Sequence, residues 1–116
     1  MTNQERLQME IKGIILSTDE LAVYLLENDL MVSDSYNPSD KTQTRKIYET
    51  ALSILESISN QPQLMKNYSH DDQTVSQFHE NLMARIDQLE NKIRKMKIEE
   101  SKAANSNGCF FMLFNQ

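Results

Sequence analysis

The sequence is poor in the residues that build loops and β-structure. Its 116 residues include 2 Gly, 2 Pro and no Trp. So few glycines almost exclude a Gly-rich loop that cradles phosphates. The composition is instead typical of a helix-rich domain rather than a sandwich or barrel. We therefore predict an all-α fold: a small helical bundle with a long C-terminal helix and an extended apolar C-terminal tail.

Cysteine and long hydrophobic runs are also scarce. The single cysteine, Cys109, excludes an internal disulfide and fits a reducing compartment. No stretch approaches the roughly 20 apolar residues of a membrane span, and no secretory signal is visible. We expect an intracellular or virion-interior protein with no membrane partner.

Catalytic and metal-binding signatures are missing as well. His70, Asp71, Asp72, His79 and Glu80 lie close together in sequence. They show none of the His or Cys spacings that metal sites use, and His79 and Glu80 point about 100° apart on a helix. Without a nucleophile motif or a paired-carboxylate signature, we predict no enzymatic activity, no cofactor, no metal and no small-molecule substrate.

Apolar spacing and capping signals place two short helices at the start of the chain. The first carries an apolar stripe at helical spacing, made of Leu7, Ile11, Ile14 and Ile15. Ser17 and Glu20 form the S-x-x-E capping box that starts the second. We expect four of its residues to face inward: Leu21, Tyr24, Leu25 and Leu26.

Two longer helices follow a polar loop that covers 27–40. Asn37 is the predicted N-cap of the third helix, with Pro38 in its first turn. Its predicted core stripe ends near Asn60 and comprises Ile47, Ala51, Leu52, Ile54, Leu55 and Ile58. The last helix should run from about Gln73 to about Ala104 with its C-terminal half projecting; its stripe is Val75, Phe78, Leu82, Ile86, Leu89, Ile93 and Met96. We therefore divide the chain into a helical domain, 1–104, and an extended docking tail, 105–116.

Charge is unevenly distributed along the chain. The formal net charge is −5, with 12 acidic and 6 basic residues in 1–72 against 5 and 6 in 73–116. The two halves could pair with each other or with neighbouring copies. A basic run, Lys92, Arg94, Lys95 and Lys97, is a candidate polar contact face for nucleic acid or an acidic partner. The simpler interpretation, which the negative net charge and the lack of interleaved aromatics favour, is a solvated helix face that pairs with Glu90, Glu99 and Glu100.

The tail contains the most apolar segment of the chain. We predict that its apolar residues are partner-docking anchors: Phe110, Phe111, Met112, Leu113 and Phe114. They could fold back over their own helices or dock on another chain as a strand or in a groove. We favour docking on a neighbour, because the long helix should carry the tail away from the core.

Several phrases of the sequence resemble the small helical head–tail connector, or head-completion, proteins of tailed bacteriophages, particularly those of gut Bacteroidetes. The resemblance covers roughly Ser17 to Met96 and rests on "STDELAVYLLE", "SILESISNQPQLMKNY" and "TVSQFHENLMARIDQLENKI". The long last helix and the stretch before Ser17 depart from that pattern. The similarity is one of element order and phrasing, without a catalytic motif.

The resemblance implies a structural virion protein, made in the host cytoplasm and located at the head–tail junction. Such subunits form a ring, commonly dodecameric, beneath the portal protein, extend the DNA channel and offer a platform for tail or stopper proteins. Gly108 to Phe114 would clasp a neighbouring subunit or the portal, and DNA would pass without specific binding. Two alternatives stay open: an accessory nucleic-acid binder that uses the basic run, and a small helical adaptor or coiled-coil dimer with a seam of Ile86, Leu89, Ile93 and Met96.

Overall fold

The computed structural model describes residues 1–61, Gln63, Lys66 and 75–107. These residues form α1 (Asn3–Glu10), α2 (Thr18–Glu27), α3 (Lys41–Ser59) and α4 (Val75–Asn107). Within the described ranges there is no β-strand, only an isolated antiparallel bridge between Thr2 and Ser35. The predicted all-α fold is confirmed. None of the helices in this part of the chain is long and apolar enough to cross a membrane.

Capping boxes start both short helices. The Ser17 hydroxyl accepts from the Glu20 amide at 3.1 Å, and the Glu20 carboxylate accepts from the Ser17 amide at 3.2 Å, as predicted. The same reciprocal bonds join Thr2 and Glu5 at the start of α1. The amide hydrogen bond from Thr2 is the main reason that the pKa of the Glu5 carboxyl is lowered. Each box satisfies amides that a helix N-terminus leaves unpaired.

The first apolar stripe was predicted to continue too far. α1 ends at Glu10, and Gly13 adopts a positive φ of 89° in the turn that follows. Leu7 and Ile11 are buried, Ile14 is half-buried, and Ile15 is 85% exposed. The reversal at Gly13 takes the chain off the helical path, so the spacing no longer places Ile15 on the core side.

The end of α2 is a Schellman motif with an aspartate in the left-handed position. Asp29 has φ 62°, its amide donates to the Leu26 carbonyl at 3.0 Å, and the Leu30 amide donates to the Leu25 carbonyl at 2.9 Å. Leu25 and Leu30 are both buried, which is the apolar contact that accompanies this motif. Of the residues expected to face inward on α2, Leu26 does not: it is 55% exposed.

The N-cap of α3 is Asp40 rather than the predicted Asn37. The Asp40 carboxylate accepts from the amides of Thr42 and Gln43 at 3.0 and 3.2 Å. Asn37 instead uses its side-chain carbonyl in a local turn, where it accepts from the Ser39 amide at 3.0 Å. Both residues are of types that are preferred as N-caps. The helix begins at Lys41, so the residue at the N-cap position is Asp40.

α3 is the centre of the fold. α1, α2 and α4 all pack against it, and α1 also contacts α2. Its buried apolar face matches the predicted stripe, except that Leu52 is half-buried, and α3 ends at Ser59 with Asn60 as its C-cap. The core of the described residues comprises Leu7, Ile11, Leu21, Leu25, Leu30, Ile47, Ala51, Ile54, Leu55, Ile58, Leu82, Ile86 and Leu89.

α4 runs antiparallel to α3 and is about 50 Å long. Leu82 near its start packs into the same core as Leu55 of α3, whereas Glu100 near its end binds Arg45. The C-terminal half of α4 was predicted to project from the bundle, and this is wrong up to Glu100: Ile93 is buried, and Glu100 is bound to α3. The helix continues to Asn107 rather than ending at about Ala104. The prediction for Gln73 lies outside the described residues.

A buried asparagine ties the N-terminus to the loop before α3. Asn3 is 1% exposed. Its side-chain amide donates to the Met31 carbonyl at 2.8 Å, and its side-chain carbonyl accepts from the side-chain amide of Gln43 at 2.9 Å. The loop is held again where the Tyr36 amide donates to the Met1 carbonyl at 2.8 Å. These bonds fix a segment that has little regular structure of its own.

Candidate assembly surfaces

Between α3 and α4 lies a charged network centred on Arg45. Its guanidinium donates to the Glu100 carboxylate and, at 2.9 Å, to Glu49. The Thr42 hydroxyl donates to Glu100 at 2.9 Å, and the Lys97 ammonium lies 3.4 Å from Glu49. The bond from Arg45, helped by that from Thr42, lowers the pKa of the Glu100 carboxyl, and the same bond to Glu100 raises the pKa of Arg45. The network fixes α4 against the start of α3.

A second polar contact joins α1, α3 and α4 through aromatic rings. The Lys92 ammonium lies 4.7 Å from the centre of the Tyr48 ring. The Arg6 guanidinium lies 5.4 Å from the Tyr36 ring centre and 5.7 Å from that of Tyr48. Cation–π contacts of this kind are worth about 0.5–1 kcal/mol at exposed sites. The two cations thus contribute to packing within the chain.

The predicted basic contact face is divided by these interactions. Lys92 and Lys97 contact α3, whereas Arg94 and Lys95 are exposed and have no ion-pair partner among the described residues. Ile98, 48% exposed, and exposed Lys102 lie on the same side of the helix by spacing. We call Arg94, Lys95, Ile98 and Lys102 the basic face of α4. The pairs that were expected within α4 are replaced by ion pairs from Lys97 and Glu100 to α3.

α2 has an exposed face of opposite charge. Because Leu21 and Leu25 point into the core, the other side of the helix presents Val23 and Leu26, each 55% exposed. Three exposed carboxylates surround them, and part of this face borders a shallow depression of about 440 Å³. We call the set of Asp19, Glu20, Val23, Leu26 and Glu27 the acidic face of α2.

A groove opens between the end of α1 and the first part of α4. Its volume is about 420 Å³. Apolar side chains line it from three elements: Ile11, Ile14, Leu55, Phe78 and Leu82. Charged side chains lie at Glu10, Lys12 and Arg85, and the Arg85 guanidinium donates to Glu10. We call this the α1–α4 groove.

The remaining predicted site residues divide between described and undescribed parts of the chain. The docking anchors Phe110, Phe111, Met112, Leu113 and Phe114 lie outside the described residues, as do His70, Asp71 and Asp72. His79 and Glu80 are exposed on α4. In the described part, no group of three or more His, Cys, Asp or Glu side chains could hold a metal ion.

The residues proposed as a coiled-coil seam are largely buried inside the chain itself. Ile86, Leu89 and Ile93 are 4%, 0% and 6% exposed, and Met96 is half-buried. A dimer formed through these residues would require α4 to separate from α3.

Comparison with known proteins adds no relative. No family model, curated protein or solved structure matches the chain.

Proposed function

We propose that the protein is a structural, non-enzymatic subunit that assembles with copies of itself into a ring at the head–tail junction of a tailed bacteriophage. The ring would extend the portal channel for DNA and offer a platform for tail or stopper proteins. The observation that supports self-assembly is the pair of complementary surfaces, the acidic face of α2 and the basic face of α4. The phage setting comes from the sequence resemblance.

The two faces match in chemistry. The acidic face has three carboxylates around Val23 and Leu26, and the basic face has three cations around Ile98. Apolar burial at the centre of a contact provides affinity, while charges at its rim provide orientation and choice of partner. The cations of the basic face can therefore pair with the carboxylates of the acidic face, while the apolar side chains of the two faces are buried against each other.

The positions of the faces favour contact between copies. α2 packs on α1 and α3, whereas α4 packs along α3, and both faces point away from that core. One folded subunit therefore cannot bring its own two faces together. A contact between different surfaces of two copies is heterologous, and it generates a closed ring when the rotation between neighbours closes.

The proposal is tested by reversing charges in full-length protein. We expect Glu27→Lys and Lys95→Glu each to lower the mass measured by light scattering, because each places like charges opposite one another. The double variant should regain the wild-type mass, since the pair is restored with opposite polarity. Glu56→Lys, an exposed charge on α3, is the matched control and should leave the mass unchanged.

Addition of a candidate portal protein extends the same experiment to the phage setting. A ring subunit should give a closed oligomer, alone or when the portal is present, and the single reversals should prevent it. A dimer that ignores both reversals and melts at a concentration-dependent temperature would favour the adaptor. Steep loss of DNA binding with salt would favour the nucleic-acid binder.

A further inference from the structure

We infer that the α1–α4 groove is the docking site for the apolar C-terminal segment, 109–114, of a neighbouring copy of this chain. The inference rests on the proposed function, because it requires copies to meet. It goes further by assigning both partners of a second contact. The acidic and basic faces would orient two subunits, and the tail of one would occupy the groove of the other.

The chemistry of the groove suits aromatic side chains. Apolar side chains from the turn after α1, from α3 and from α4 line it. A closed apolar cavity of about 150 Å³ is enough to hold one benzene molecule, so a groove of about 420 Å³ has room for more than one phenyl ring. Gly108 precedes a segment with three Phe, one Met and one Leu, which supplies such rings in close succession.

The reach of the chain decides which copy provides the tail. α4 carries the chain away from the groove, and Arg85, the groove residue furthest along α4, lies about 33 Å along the helix from Asn107. Fully extended, the chain from Asn107 to Phe114 spans at most about 25 Å, and Phe110 lies at most about 11 Å from Asn107. The tail therefore cannot fill the groove of its own subunit.

The tail has a poorer alternative within its own reach. A pocket of about 180 Å³ is lined by Met96 and Ala103 together with Lys41, Glu99 and Glu100. It has room for about one ring by the same comparison, and three of its five lining residues are charged, against three of ten in the α1–α4 groove. It could not cover three phenylalanines, so the larger groove of a neighbour is the better site.

Cys109 provides a direct test in the full-length chain because it is the only native cysteine. Asn81→Cys and Lys12→Cys each place one new thiol at an exposed residue that lines the groove. Asn81 lies about 39 Å along the helix from Asn107, and Cys109 follows Asn107 by at most about 7 Å. Since a disulfide joins Cα atoms no more than about 7 Å apart, a bond between Cys109 and a cysteine at position 81 must join two chains.

We expect mild oxidation of at least one of these variants to give a ladder of linked chains on non-reducing gels. Peptide mass spectrometry should assign the bond to Cys109 and the new cysteine, and the wild type controls for Cys109–Cys109 links. Adding Phe110→Ser and Phe111→Ser should lower the yield about tenfold or more, because burial of these two side chains is what would hold the segment in the groove.

Glu99→Cys distinguishes the alternative, because it lies within reach of Cys109 in the same chain. A fast bond within one chain at position 99, with no link to position 12 or 81, would overturn the inference. If light scattering shows assembly but neither groove cysteine links to Cys109, the groove assignment fails while the proposed function stands. Protein that stays monomeric, also with portal present, and forms no link would overturn both.

Discussion

The buried asparagine of α1 gives the sharpest test of how the N-terminal part of the fold is held. Asn3→Ala removes the hydrogen bonds to the Met31 carbonyl and from the Gln43 side chain. Each is worth about 0.5–1.5 kcal/mol net. Gln43 keeps a second acceptor, the Ser35 carbonyl at 3.2 Å, so it is not left without a partner. The small cavity adds to the loss, and we expect the free energy of unfolding to fall by about 2–3 kcal/mol.

This loss is measurable because small domains are stable by only about 5–15 kcal/mol. We expect the Asn3→Ala midpoint to fall by about 8–12 °C in thermal unfolding followed by circular dichroism. Gln8→Ala, an exposed change on the same helix, should stay within about 0.5 kcal/mol of wild type. A double-mutant cycle with Gln43→Ala should give a coupling of about 1 kcal/mol. If Asn3→Ala is as stable as wild type, the buried hydrogen bonds do not hold the loop; if only the coupling is zero, the bond between Asn3 and Gln43 contributes nothing to stability.

Three further predictions concern other parts of the fold. Asp29→Gly should stabilise the protein by about 0.5–1 kcal/mol in urea unfolding, because relief of the left-handed strain exceeds the entropy cost of glycine; a destabilised variant would contradict this. Leu89→Ala, at a residue that is 0% exposed, should cost about 2–5 kcal/mol, whereas exposed Met83→Ala should cost much less. The pKa of Glu100 is lower in the folded protein than its unfolded value of 4.5. The ionised carboxylate therefore stabilises the fold above about pH 4.5, and this stabilisation is lost as the pH falls through the folded pKa. Glu100→Gln should therefore flatten the loss of stability below about pH 4.5.

Local signals in the sequence predicted the features that depend on neighbouring residues. The capping box at Ser17 needs only Glu20, and the stripe of α3 needs only a regular helix. The matching box at Thr2 and Glu5 was missed, although the T-x-x-E spacing could have revealed it. Where two local signals competed, as at Asn37 and Asp40, the spacing alone could not choose between them.

Features that depend on tertiary structure could not be predicted from the sequence. Arg45 and Glu100 are far apart along the chain, and no pattern in either segment predicts that the two side chains form an ion pair. Lys92 and Lys97 belong to the candidate contact face, but the packing of α4 on α3 brings them to Tyr48 and Glu49. Which side chains of α2 and α4 are exposed depends on how each helix is oriented on the core.

The antiparallel contact between α3 and α4 has a mechanical consequence. Force applied to the C-terminus of a subunit by a neighbour that grips its tail would load α4 at the end where Arg45 holds Glu100. If that force is directed away from α3, the interface would be peeled turn by turn, which needs less force than sliding the two helices past one another. The hydrogen bonds from Arg45 and Thr42 to Glu100 lie near that end of α4, so they would resist the start of such a separation.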